Sequence, residues 1–189
     1  MICIIRHGQT ELNNRSVLQG RSDHPLNEIG TAQAEAAAQR LRERGIAFDR
    51  VFSSPLIRAM QTARIVAPDL EPVVDERLIE MDYGPYEGAD LTQPMPELAA
   101  FFEDFAHNPA PEGMEPLASV VERAAAFIED IRRLPGNTLI FTHAIAMKGI
   151  LEVLTPDSGG AYWPKYIGNC AVYAADNPSG NPGIPRELL

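Results

Sequence analysis

At 189 residues the chain has the length of one ordinary domain, and with 45% hydrophobic and 22% charged residues it can bury a substantial core. Its formal net charge of −10 disfavours nucleic acid and anionic membrane surfaces as partners, so any bound anion must be captured by local cations against the overall field. Cys3 and Cys170 form neither a disulfide framework nor a zinc spacing, and no membrane-length apolar run or targeting segment is visible, which makes a cytoplasmic setting the default expectation.

Ile2-Cys3-Ile4-Ile5 reads as a short strand buried on both faces, and it ends abruptly in Arg6, His7 and Gly8. In open α/β sheets ligands bind beyond the carboxyl ends of the strands, and Gly8 allows close backbone approach there. On its own, Arg-His-Gly reads more simply as a strand-to-loop junction. Residues 8 to 26 form a polar loop that carries Asn13, Gln19, Gly20, Arg21 and Asp23. Asn27 to Arg44 is an amphipathic helix, capped by Asn27 and stopped by Gly45, whose many alanines suit close packing on a sheet.

A second strand covers residues 49 to 53. Ser54-Pro55 then supplies an N-cap and a first-turn proline for a helix over Pro55 to Ala67. That puts Arg58 near the helix end that favours anions, unless it is merely a solvated helix charge. Glu71 to Val74 reads as a third strand, and residues 77 to 88, with Glu80, Asp82 and Glu87, as a shaped loop. Residues 89 to 116 are rich in proline and hold one helix, Pro96 to Ala106, with Phe101, Phe102 and Phe105; they read as a cap over the site rather than a second domain. The stripe from Leu117 to Leu134 is a core-packing helix, and Thr138 to Phe141 is a strand that delivers Thr142 and His143 at its carboxyl end. Ala144 to Leu154 is helical, Asn169 to Ala174 reads as an edge strand, and the tail from Asp176 as extended and loosely held.

Arg6-His7-Gly8, the run Ser53-Ser54-Pro55-Leu56-Ile57-Arg58-Ala59-Met60-Gln61-Thr62-Ala63, the loop with Glu80, Gly84 and Glu87-Gly88, and Thr142-His143-Ala144 occur in an order that resembles the histidine phosphatase superfamily, the phosphoglycerate-mutase-like group. The resemblance covers nearly the whole chain to residue 154. It implies an α/β fold, a three-layer α/β/α sandwich with a mostly parallel central sheet and a small helical cap insertion, in a single domain over residues 1 to 189. It also implies His7 as the nucleophile that forms a phosphohistidine, Arg6, Arg58 and His143 as cationic partners of the phosphoryl oxygens, and Glu80 as the acid for the leaving group. Asn13, Gln19, Gly20 and the backbone N–H of Ala144 are its remaining phosphate-binding candidates.

The residue types suit that chemistry. A neutral imidazole attacks best when its other nitrogen is held by an acceptor. Guanidinium forks match phosphate oxygens, and losing one such donor costs on the order of 3 kcal/mol, about a hundredfold in rate. Glu80, beside a dianion, is favoured in its protonated form and can later activate water, with Asp82 as its nearest competitor. His7, His24, His107 and His143 lie too far apart, without paired helical spacing, to suggest a metal site, and no cofactor is implied.

Two positions depart from the family pattern: Gln9, where the mutase branch usually has Glu, and Ala144, where many relatives have Gly. A mutase acting on bisphosphoglycerate needs cations in its cap, yet no Lys or Arg lies between Leu78 and Glu122, a stretch that holds ten acidic residues. The expected activity is therefore hydrolysis of a small phosphomonoester, of the ribazole or sugar phosphate kind, whose other end is neutral, aromatic or cationic. Tyr83, Tyr86 and the three phenylalanines could line a pocket for a ring or simply anchor the cap. A phosphoglycerate mutase is the alternative, and a non-catalytic phosphate-binding module a third. The sequence leaves the oligomeric state open, a dimer included.

Overall fold

The computed structural model describes residues 1–93, 95–104, 107–176 and 185–189. Six strands, β1 (Ile2–Arg6), β2 (Arg50–Ser53), β3 (Val73–Val74), β4 (Thr138–Thr142), β5 (Val172–Ala175) and β6 (Arg186–Glu187), form one sheet of order β3-β2-β4-β1-β5-β6. Pairing is parallel from β3 through β1 and antiparallel from β1 through β6. Around it lie α1 (Glu11–Asn14), α2 (Glu28–Glu43), α3 (Ile57–Val66), α4 (Pro96–Glu103), α5 (Leu117–Ile131) and α6 (Ala144–Leu154).

Side chains alternate across a strand, so the apolar run of β1 feeds two cores at once. Ile2 and Ile4 pack with Ile140, Phe127, Ile128 and Met147 on the side of α5 and α6. Cys3 and Ile5 pack with Ala34, Ala38, Ala59 and Phe141 on the side of α2 and α3. This is the three-layer α/β/α arrangement, and the alanines bring α2 and α3 close to the sheet. Gly8 and Gly30 tighten the contact further: a Cβ on Gly8 would lie 2.4 Å from the Gly30 carbonyl oxygen, and one on Gly30 2.0 Å from that of Gln9.

A third cluster under residues 89 to 116 joins Leu98 and Phe101 of α4 to Met81, Tyr83, Ile145 and Trp163. Phe101, 1% exposed, thus anchors α4 to this cluster and is not a pocket wall. No helix among the described residues is long and apolar enough to cross a membrane.

Several elements differ from the sequence expectation. The loop over residues 8 to 26 contains α1, a single turn held by a reciprocal cap between Thr10 and Asn13. A proline-led helix start at Ser54-Pro55 does not form: α3 begins at Ile57, whose N–H donates to Asp23 Oδ1 at 2.7 Å. The expected edge strand is β5, but it lies inside the sheet. The chain returns to add β6 on its open edge, where Tyr173 pairs with Glu187. The tail is therefore held at its end, with Leu188 and Leu189 packed against the α2 face and Arg44 Nη2 donating to the Leu188 carbonyl at 2.9 Å. The rest of that tail, 177–184, lies outside the described residues, as do Phe105 and Ala106 of the expected cap helix.

Candidate active site

The carboxyl ends of β1 and β4 meet where the connections leave the sheet in opposite directions, the position at which α/β sheets bind ligands. Arg6 is in register with Thr142, and the His7 N–H donates to the Thr142 carbonyl at 3.0 Å. The next residues, His7 and His143, consequently face each other with ring centroids 5.1 Å apart.

Hydrogen bonding fixes the proton of His7. A carbonyl only accepts, so Nδ1 donates to the Gly8 oxygen at 2.7 Å, and Nε2 keeps its lone pair. Arg58 Nε–H points at that lone pair from 3.3 Å. Burial, then the charges of Arg58 and Arg6, push His7 well below 6.5. For His143, burial comes first again, followed by Arg58, His7 and Arg6, with the same outcome. Both imidazoles are neutral, and His7 Nε2 keeps a lone pair available for a nucleophilic role.

Arg58 is fully buried and does not present an open fork. Its Nη2 donates to the Gly20 carbonyl at 2.6 Å and its Nη1 to that of Ser22 at 2.8 Å. Burial lowers it to about 10, against the raising influence of Glu80, so it stays charged at neutral pH. The loop that receives it is shaped by Glu87, whose carboxylate accepts the Gly20 N–H at 2.9 Å and also binds the Ser22 N–H and hydroxyl. Gly20, a candidate phosphate ligand, is outside the lining of the hollow that holds Arg6 and His7: its amide donates to Glu87 and its carbonyl accepts from Arg58. A Cβ there would lie 2.6 Å from the Met81 oxygen.

Arg6, His7, Asn13, Gln19, Glu80 and Ala144 line one hollow of about 300 Å³. Glu80 sits at the N-terminus of α6, where its carboxylate accepts the N–H groups of Ala146 at 3.0 Å and Ile145 at 3.2 Å, and of Met81 at 2.9 Å. Asp82 turns away to Arg21, 3.3 Å distant, and to the Gly84 N–H, so the carboxyl in the hollow is Glu80. Arg6 Nε, Gln19 Nε2 and His143 Nδ1 are all buried without a hydrogen-bond partner among the described residues. Buried polar groups are nearly always paired, so a cluster of unpaired ones marks the place of a ligand. Positive charge, donors and a basic imidazole nitrogen together suit a tetrahedral oxyanion.

Several positioning groups escaped the sequence reading. Ser54, expected as a helix cap, instead holds His143 Nε2 at 2.7 Å through its hydroxyl. Thr62 accepts the Gly8 N–H at 3.0 Å and donates to the Arg58 carbonyl at 2.7 Å, which couples the turn after β1 to α3. Asn169 Nδ2 donates to the His7 carbonyl at 3.0 Å and to Asn13 Oδ1 at 3.3 Å. The following residue, Cys170, adopts φ +56°, uncommon for a residue with a side chain, and donates its N–H to the Arg6 carbonyl at 3.1 Å. Ser54 and Thr62 lie within the run that carries the family resemblance, but their roles, like that of Asn169, depend on partners distant in sequence. Gln9 points elsewhere: its Oε1 accepts from Asn27 at the start of α2, so its identity bears little on the hollow.

His24 and His107 are absent from the lining, and His107 pairs with Asp104 on the surface. Among the described residues no group of three or more His, Cys, Asp or Glu side chains could hold a metal ion.

The two neutral histidines set a pH dependence. In the folded protein neither ring takes up a proton until well below 6.5, whereas in the unfolded chain each does so near 6.5. Unfolding is thus coupled to proton uptake below that value. Stability is complete above it and falls by about 1.4 kcal/mol per pH unit per histidine as the pH drops. Thermal melts across this range should show Tm declining from near pH 6.5 downward, with a smaller decline when inorganic phosphate is present; a flat profile contradicts the assignment.

The fold and the site define an α/β protein with a histidine-centred anion hollow at the ends of two parallel strands. The chain belongs to the histidine phosphatase superfamily (branch 1), whose family model matches residues 2–185. A 2,3-bisphosphoglycerate-dependent phosphoglycerate mutase of Methylobacterium sp. is 32% identical over 169 residues, 82% of this chain and 80% of that protein. Among solved structures, a phosphoserine phosphatase mutant from Entamoeba histolytica in complex with phosphoserine is 25% identical, with a TM-score of 0.80 over 100% of this chain and 94% of that one. A mycobacterial glucosyl-3-phosphoglycerate phosphatase complexed with VO3 is 26% identical, with a TM-score of 0.82 over 100% of this chain and 96% of that one.

Proposed function

We propose that the protein is a metal-independent phosphomonoester hydrolase that works through a phosphohistidine on His7. His7 Nε2 attacks phosphorus as the bond to the leaving oxygen breaks, and Glu80 supplies the proton that oxygen needs. Water then attacks the phosphohistidine, gives its proton to Glu80, and returns the electron pair to Nε2. Arg6 and His143, protonated once the anion is bound, balance the charge on the non-bridging oxygens, while Arg58 adds charge from behind His7. The observation that carries the reading is the set of unpaired buried atoms, Arg6 Nε, Gln19 Nε2 and His143 Nδ1, clustered about a nucleophile whose tautomer is fixed.

Hydrolysis is favoured over mutase activity by what surrounds the hollow. The arginines beside the cap, Arg21 and Arg123, are both paired with Glu115, and Arg21 also with Asp82. Both cations are thus engaged and are not free to take a second phosphate or a carboxylate. The mutase reading is supported by the 32% identity to the Methylobacterium enzyme, one of several phosphoglycerate mutases that the chain resembles. The two are separated by incubating the protein with a panel of phosphomonoesters and, separately, with phosphoglycerate and its bisphosphate. Phosphate release, unaffected by a chelator and faster than phosphoglycerate interconversion, is the expected outcome. Faster interconversion would overturn the hydrolase reading, and loss of turnover on chelation its metal independence.

A further inference from the structure

The phosphate end of the hollow is polar, but its outward wall is not. Val17, Leu18, Leu91, Phe102 and Ile145 line it beyond Glu80, with Tyr83 and Tyr166. A second hollow of about 230 Å³ adjoins it and shares Leu91 and Phe102 as a common wall. Its remaining lining is Gln93, Met95, Leu98 and Ala99, so among the described residues no charged side chain faces it.

Two of these residues are conspicuous on the surface. Leu91 is 45% exposed and Tyr166 86% exposed, both large apolar side chains left in contact with water at the mouth of a site. With the shared wall of the two hollows they make the mouth of the site apolar. Phe102 stands between the two hollows, supported edge-on by Tyr83 with ring centroids 6.4 Å apart and by the anchored Phe101 at 5.6 Å.

We infer that the natural substrate is the phosphomonoester of a bulky apolar alcohol, aromatic or branched, whose uncharged body lies across Leu91 and Phe102 into the second hollow. This rests on the hydrolase reading and sharpens it. A sugar would leave its hydroxyls facing Leu, Met, Ala and Phe in the second hollow, with Gln93 the sole amide there. A phosphorylated amino acid or hydroxy acid would bring a carboxylate for which the outer wall offers no cation.

Two readouts test this separately from catalysis. Non-hydrolysable phosphonates probe the wall alone: naphthylmethylphosphonate should bind the wild-type protein about tenfold or more tighter than methylphosphonate. Leu91→Asn, at an exposed position where folding is not at stake, should bring that ratio to within about threefold. Equal binding of the two phosphonates, or an unchanged ratio in the variant, overturns the inference. Turnover is then compared for naphthylmethyl phosphate and 3-phosphoglycerate, both alkyl esters, with the apolar ester expected to have the higher kcat/KM by about tenfold or more. If the acid is the better substrate, the inference fails while the hydrolase stands. If neither ester releases phosphate although the phosphonate ratio holds, the hydrolase reading fails and the apolar site stands.

Discussion

Replacing His7 by Asn is expected to lower phosphatase kcat/KM by at least about 10⁴-fold, the scale on which removal of a nucleophile acts. The change is chosen to be gentle on the fold. An Asn amide can keep the bond to the Gly8 carbonyl that Nδ1 makes at 2.7 Å, and it leaves the neighbouring packing of β1 intact. It also removes one of the two imidazoles that burial keeps neutral. The variant should therefore lose less stability than the parent as the pH falls below 6.5, since only His143 then takes up a proton on unfolding. Steady-state rates and acid-side melts on the same preparation distinguish a lost nucleophile from a lost fold. An inactive variant with the parent's full acid sensitivity would contradict the account of His7, and so would an active one.

Arg58 is the second position of large effect, and here charge and geometry separate. Arg58→Leu removes the cation beside His7 Nε2 and leaves the Gly20 and Ser22 carbonyls without their donor. The expected loss in kcat/KM is about 100-fold to 1000-fold, with a lowered Tm because buried acceptors go unpaired. Arg58→Lys restores a charge but not a planar group that reaches two carbonyls and an imidazole together. It should recover less than about tenfold of the loss. Recovery to near the parent rate would mean that charge alone matters and that the loop braced by Glu87 does not.

The fold was legible wherever local pattern and tertiary position agree. The apolar runs of β1 and β4, the alanine-rich α2 and the amphipathic α5 carry their own periodicity, and the strand ends that hold His7 and His143 follow from them. What stayed hidden depends on partners far along the chain. Ser54 looks like a helix cap because serine before proline usually is one, yet Asp23 accepts the first N–H of α3, and the Ser54 hydroxyl, which also accepts the Leu56 N–H at 3.4 Å, meets His143. Gly20 and Arg58, both candidates for the anion, hold each other, with Glu87 behind them, a link that no local pattern reports. The end of the tail read as loose because proline and glycine precede it. An open strand edge at β5 is an incentive to pair that no local pattern reports.

The ring-lining role considered for the aromatic residues divides in the same way. Phe101 is buried under the cap, Tyr86 does not reach the hollow, and Phe102 and Tyr83 do. Helical periodicity marks an apolar face without saying which of two adjacent phenylalanines turns inward. That choice belongs to the packing of α4 on Met81 and Trp163.

The most direct test of the account is to quench the protein with alkali during turnover of a phosphomonoester and map the phosphoryl group by mass spectrometry. One phosphoryl group on the peptide that contains His7, stable in alkali and labile in acid, is the predicted result. A label on another residue, or turnover with no labelled protein under conditions that trap phosphohistidine, would contradict it.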